Sequence, residues 1–316
     1  MYRVLLGVVV AVPLACLAAQ VRAQDADFYV NRAEDSFLKM DLKSSLADFN
    51  EAIRLAPSRA DLYEMRAGVY DTLGDAQKAF ADYAEAIRLA PDRSAAPYES
   101  RAGMYDRQRD YDKAIADYGQ AIRLAATNHK LYSSRGFDYV RQRKYDEAIA
   151  DFTKVMQLTP RDDFYSLNVR ITRSSRAGVW ILKGRYDQAI ADYEEGMRDD
   201  PKEGDYYLEL AWLQAACPDE KYRDGQKAYQ NANRAYQLTE GKYWYYMEAL
   251  AAAYAECGDF DHASEWETKA IDMAKGVTNG SVTPQEIKEA NSRLKLYQEG
   301  KPCRLEPNKP RVPVVS

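Results

Sequence analysis

The chain has 316 residues, 46% hydrophobic and 29% charged, enough apolar material for one or two globular cores or for one elongated array. Its formal charge of −5 excludes a general nucleic-acid binder, which needs a basic surface to release counterions. Glycine (16) and proline (12) are too sparse for a low-complexity bulk, while the 25 tyrosines recur at helical spacing.

The first residues, MYRVLLGVVVAVPLACLAAQVRAQ, combine Arg3, an apolar run from Val4 to Ala19 and the small residues of Val21-Arg22-Ala23. This is the pattern of a secretory signal peptide over residues 1–23, cleaved after about Ala23, and it implies an exported protein, periplasmic or secreted. The run is broken by Pro13 and falls short of the ~20 residues that span a bilayer, which argues against an uncleaved anchor. No other stretch reads as a membrane span. Loss of the leader removes Arg3 and Arg22 and leaves 42 basic against 49 acidic residues, a balance of −7. Cys217, Cys257 and Cys303 remain, too few for a disulfide scaffold.

From residue 26 onward one phrase recurs: DAQKAFADYAEAIRLA, RDYDKAIADYGQAIRLA, KYDEAIADFTKVMQL. Pro57 and Pro91 end two copies 34 residues apart, and Pro160 and Pro201 end later ones. In the second half of each copy a small, an aromatic and another small residue stand at i, i+4 and i+7, as in Ala79-Tyr83-Ala86 and Ala114-Tyr118-Ala121, so they share one helical face. An earlier helix presents Tyr63-Ala67-Tyr70, Tyr98-Ala102-Tyr105 and Tyr132-Gly136-Tyr139. Gly74-Asp75, Arg109-Asp110 and Gly184-Arg185 mark a tight turn between the two helices, and the proline stops the second.

The 34-residue helix–turn–helix unit resembles the tetratricopeptide repeat. The resemblance implies an all-α fold, a right-handed α-solenoid of about seven helix–turn–helix repeats, with small residues where the paired helices cross. Those pairs are Ala33/Ser45, Ala67/Ala79, Ala102/Ala114, Gly136/Ala148, Ala177/Ala189, Ala211/Ala228 and Ala251/Ala263. The units fall near 26–59, 60–94, 95–128, 129–169, 170–203, 204–243 and 244–275, making an array over 26–275. Two departures stand out. The period stretches to 41 around RDDFYSLNVRI, which is inserted or extends a helix, and the turn of the sixth unit lengthens to CPDEKYRDG (217–225). Glu267 and Lys275 replace the aromatic and the proline of the last unit, which fits a repeat facing water. Residues 276–282 read as a linker. Residues 283–300 read as a solvating capping helix with Thr283 as N-cap, Pro284 at the first position and Glu286 closing a capping box. The Pro-rich tail 301–316 reads as extended.

No residues assemble a catalytic, cofactor or metal site. His129 and His262 lack ligand partners at metal spacing, Ser36-Phe37-Leu38-Lys39 has none of the companion motifs of its enzyme class, and no nucleophile elbow or phosphate loop occurs. The chain therefore reads as a non-enzyme without cofactors. Cys217 and Cys257 occupy the fourteenth position of adjacent repeats. Helices stacked ~8–10 Å apart lie beyond the ~7 Å Cα separation a disulfide tolerates, so two thiols are expected. Cys303 is free for intermolecular pairing.

What the resemblance implies about partners concerns the first helices, which line a concave groove in this family. The groove positions carry Glu64, Asp71, Glu99 and Asp106 toward the N-terminal end, and Phe137, Arg141, Leu182, Trp212 and Tyr245 further on. An acidic beginning would thus give way to an apolar and aromatic continuation. The Lys and Asn that clamp a C-terminal carboxylate in some relatives are replaced here by Val30, Glu34, Glu64, Gly68, Glu99 and Gly103. The expected function is a protein–protein interaction scaffold or adaptor in the cell envelope that holds an extended or helical segment of a protein or peptide partner. The alternative is a structural, self-associating repeat protein.

The crossing pairs set a first test. Ala102→Leu or Ala148→Leu forces two helices apart and is expected to cost roughly 1–3 kcal/mol by overpacking, read as a lowered denaturation midpoint. Melting like the parent would show that these residues do not lie at a crossing.

Overall fold

A computed structural model describes residues 14–160, 167–277 and 281–308, with side chains from Asp25 onward. Among the described residues the chain is helical and contains no strand. It divides into two compact units, residues 1–127 and 128–316. The first holds three helix pairs: α1 (Leu14–Leu38) with α2 (Leu42–Leu55), α3 (Ala60–Thr72) with α4 (Ala76–Leu89), and α5 (Ala96–Arg107) with α6 (Tyr111–Leu124). The second holds α7 (His129–Arg141) with α8 (Tyr145–Leu158), α9 (Leu167–Leu182) with α10 (Tyr186–Asp199), α11 (Gly204–Ala216) with α12 (Gly225–Leu238), α13 (Trp244–Glu256) with α14 (Phe260–Lys275), and finally α15 (Pro284–Gln298). Within each unit, successive pairs pack in chain order: α2 on α3 and α4 on α5, then α8 on α9, α10 on α11 and α12 on α13, with α15 on α14. The expected leader lies mostly outside the described residues, and its residues 14–23 open α1. Residues 161–166 and 309–316 also lie outside, whereas 167–171 of the expected insertion extend α9 at its start.

The turns between paired helices repeat one device. Met40, Gly74, Arg109, Arg143, Gly184 and Gly258 all adopt φ between 59° and 82°. The next amide then reaches back to the first helix, as in Asp75 N to Tyr70 O at 2.9 Å and Lys144 N to Tyr139 O at 2.8 Å. These bonds satisfy carbonyls that a helix end leaves unpaired. The same turns supply Asp41, Asp75, Asp110 and Asp259 as N-caps for α2, α4, α6 and α14.

At the crossings, the alanines of all seven small pairs and Ser45 are fully buried at 0% exposure. A methyl group on Gly136 would meet the Phe152 ring at 2.7 Å, so only hydrogen fits there. Beside the crossing runs a second periodic feature. Arg66, Arg101, Arg135 and Arg176 each grip a carboxylate 16 residues on, Asp82, Asp117, Asp151 and Asp192, through two bonds of 2.6–3.0 Å. Arg32 and Asp48 make the same bidentate pair. At two of them, tyrosines three residues before and four after the arginine flank its guanidinium: Tyr63 and Tyr70 at 5.7 and 5.8 Å from Arg66, Tyr132 and Tyr139 at 5.8 and 5.7 Å from Arg135. Burial outweighs the arginine at Asp151 and at Asp192 and raises both carboxyls. Such pairs specify a geometry more than they stabilise it. The last two units do without them. Leu210 and Asn231 stand at the equivalent positions of α11 and α12, with Asn231 bonded to Gln214 at 2.8 Å, and Leu250 and Trp266 stand in α13 and α14.

Three expectations for the C-terminal region need correction. Glu267 does not face water: it is 0% exposed, and Arg293 of α15 donates to it at 2.9 Å. α15 has the expected capping box at Thr283 and Glu286, yet it is more than a solvating cap, because Ala290 and Tyr297 are buried at 2% and 1% exposure. Cys303 is not presented for intermolecular pairing: it is buried and accepts a hydrogen bond from the Tyr297 hydroxyl at 3.2 Å. Cys217 is a buried free thiol and Cys257 an exposed one.

The Arg–Asp pairs generate a prediction. Arg101→Met leaves Asp117, whose side chain is 8% exposed, without its counter-ion and should cost about 3 kcal/mol. Arg101→Met combined with Asp117→Leu should recover most of that loss, since Leu250 occupies the arginine position of α13. Urea unfolding of the two variants checks the difference; equal losses would mean the charge pair is not the cause.

Candidate partner-binding surface

In the first unit the surface candidates lie on α3 and α5. Among them Asp71 is paired with an arginine, and so are neighbouring acids of the same face. Asp71 holds Arg107 at 2.6 Å, and Asp61 holds Arg59 at 2.7 Å and Arg93 at 3.4 Å, so neighbouring repeats are bridged by charge pairs. Asp27 completes the row with Arg59 at 2.5 Å. The surface is thus a mixed-charge face rather than a purely acidic one. Glu64, Glu99 and Asp106 are half-buried on it. Burial raises the Glu64 carboxyl, against the pull of Arg93 and with a small push from Asp61.

In the second unit Phe137 is half-buried and meets the Phe152 ring edge-on at 5.1 Å. Arg141 bonds to the buried Asp138 at 3.2 Å. Leu182 and Tyr245 are half-buried. Tyr245 belongs to an aromatic group at the start of α13, stacked on Tyr243 at 5.5 Å and tilted against Tyr246 at 4.7 Å; Tyr243 is 49% exposed. Trp212 is different. At 2% exposure it sits in the core of α11, α12 and α13, which makes it a packing residue rather than a presented anchor. The nine candidates are therefore distributed over both units, four on the first and five on the second.

Beneath this surface lies a buried charge group. Arg293 of α15 enters between α13 and α14, bonds to Glu267 and to Glu248, and stands 5.6 Å from the Trp212 ring. One guanidinium thus serves two carboxylates. Burial pushes Glu267 up to about 8; Arg293 opposes this and the Glu248 charge adds to it. Among the described residues no cluster of His, Cys, Asp and Glu could hold a metal, and no helix is long and apolar enough to cross a membrane.

The tail is a feature that the sequence pattern did not reveal. The Leu305 amide donates to the Ala216 carbonyl at 2.8 Å, Arg304 pairs with Glu256 at 2.7 Å, and the Asn308 amide donates to the Tyr186 hydroxyl at 3.2 Å. Residues 303–308 therefore run back over the ends of α13, α11 and α9. Leu305 and Glu306 wall a small cavity of about 10 Å³ together with Ile181, Tyr186, Trp212 and Leu213.

Comparison with known proteins agrees with this architecture. Residues 60–93 and 95–128 match the family model of the tetratricopeptide repeat. Among solved structures, the C-terminal part of a TPR repeat-containing protein from Cytophaga hutchinsonii is similar with a TM-score of 0.61 at 17% identity, covering 83% of this chain and 98% of that one. The MamA protein is similar with a TM-score of 0.50 at 18% identity, covering 57% of this chain and 94% of that one. No curated protein matches the sequence.

The buried charge group sets a pH test. The folded value of Glu267, about 8, lies above its ordinary 4.5. The stability it contributes is complete below 4.5 and is lost as pH rises through 8. The loss is bounded at about 1.4 kcal/mol per pH unit. Between pH 5 and 9 the Tm of the parent should therefore fall more steeply than that of Glu267→Gln. Parallel curves would show that Glu267 does not titrate in this range.

Proposed function

Because the chain is a tetratricopeptide-repeat protein, we propose that it is an exported scaffold of the cell envelope that holds an extended or helical segment of a partner protein against the first helices of its repeats. The repeat fold supports a protein–protein interaction scaffold in general. The finer reading is carried by one observation: Glu64, Glu99, Phe137, Leu182 and Tyr245, all on first helices, are half-buried and keep charged or apolar surface open beside a packed core. Side chains already held in part by their neighbours have less freedom to lose, which lowers the ordering cost of binding. The leader pattern of residues 1–23 supports the envelope location.

A second reading is self-association, and a specific observation favours it. Phe28, Leu38 and Met40 on α1 and its turn are 59%, 80% and 68% exposed, three apolar side chains open to a second copy at the first repeat. Photo-cross-linking residues placed at Glu99 and Tyr245 separate the two. The scaffold predicts discrete adducts with another protein from both positions, and none from a probe at Lys113 on the second helix α6. Adducts of twice the chain's own mass, together with a concentration-dependent mass in solution, would sink the scaffold reading in favour of self-association.

A further inference from the structure

α11 ends unlike the other first helices. At the left-handed turns the last carbonyls of the helix are taken by returning amides, as Tyr70 and Asp71 are at Gly74-Asp75. Cys217 instead leaves α11 extended, with φ −52° and ψ 136°. The long turn returns amides only to Leu213 and Gln214. The Ala215 and Ala216 carbonyls are then left at a helix end without turn partners.

The tail meets them. Leu305 N donates to Ala216 O at 2.8 Å, and the Arg304 guanidinium reaches Ala215 O at 3.4 Å while pairing with Glu256 at 2.7 Å. The Leu305 side chain is half-buried against an apolar socket that includes Ile181, Trp212 and Leu213, and it walls the small cavity left there. Asn308 Oδ1 lies 3.0 Å from where a Gly184 Cβ would stand, so the tail's side chain rests close against the turn at Gly184. A main-chain bond, a charge clamp and an apolar socket in sequence are the means by which extended peptides are held.

We propose that the cleft over the ends of α9, α11 and α13 is a binding site for an extended peptide whose core is a basic residue followed by leucine, and that residues 303–308 fill it in cis until such a segment exchanges with them. The proposal rests on the scaffold reading and names the segment that its second unit accepts. A tether this short gives the tail an effective concentration in the millimolar range. A free segment of equal intrinsic affinity must reach that range to displace half of it.

Cys303 reports the exchange. It is buried beside Tyr297 and its thiol is raised by burial, whereas Cys257 is exposed. The full chain is labelled with a maleimide, and each cysteine is followed by mass spectrometry. Cys303 should label at least tenfold more slowly than Cys257. A millimolar synthetic peptide of residues 301–316, carrying Cys303→Ser, should raise Cys303 labelling severalfold, and the same peptide with Leu305→Asp should not. Leu305→Asp in the chain itself should open Cys303 without any peptide. If that variant stays protected while folded by circular dichroism, the cleft does not hold the tail and the proposal fails. If it opens but the peptide has no effect on the parent, the cleft is a fixed strap and exchange is overturned. Cross-linking at Glu99, in the other unit, reads the scaffold function independently of both outcomes.

Discussion

The structure depends on how closely two helices can approach at one point. A helix pair cannot bury its own apolar faces, so each pair must stack on its neighbour, and stacking requires every pair to have the same shape. The small residues at the seven crossings set that shape: they are buried, and at Gly136 even a methyl group would meet the Phe152 ring. The left-handed turn residues then fix where the second helix starts, and the Arg–Asp pairs fix its rotation about its axis. Each layer of interaction presupposes the one beneath it. An arginine on α5 finds Asp117 on α6 only because Ala102 and Ala114 have already brought the helices together.

Much of this was legible in the chain. The crossing pairs, the turn positions and the capping box of α15 could be read because each rests on short-range spacing, where helical geometry converts sequence distance into position. The Arg–Asp spacing of 16 was equally present in the sequence, and five copies would have sufficed to find it. In the sequence it is disguised, because charged residues on a helix usually mark a solvated face and a single copy looks like one. The flanking tyrosines were the missing signal: at Arg66 and Arg135 a pair of them sandwiches the guanidinium.

The C-terminal region was harder to read for a physical reason. Glu267 was read as a sign of exposure because its counter-ion, Arg293, lies on another helix 26 residues away, outside any repeat period. Trp212 stands at a groove position of the repeat, and the packing of α13 on α11 places it in the core instead. The docking of the tail rests on main-chain carbonyls, which carry no side-chain signature. Only the lengthened turn at 217–225 hinted that the end of α11 would be left with polar groups to satisfy. Candidate groove residues were nameable from the repeat alone, but which of them stay open depends on neighbours that single-helix spacing cannot see.

The confinement of the Arg–Asp pairs to the first five helix pairs has one more consequence. A lock that is identical in every repeat holds any first helix against any second helix equally well, so it secures pairing without identifying the partner. During folding, a strand of the array offers several equivalent keyholes. The last two pairs carry different keys, Leu210 with Asn231 and Leu250 with Trp266, and α15 adds an arginine that fits only the two glutamates beneath it. The C-terminal end is therefore the part of the molecule whose contacts are particular to their place in the series.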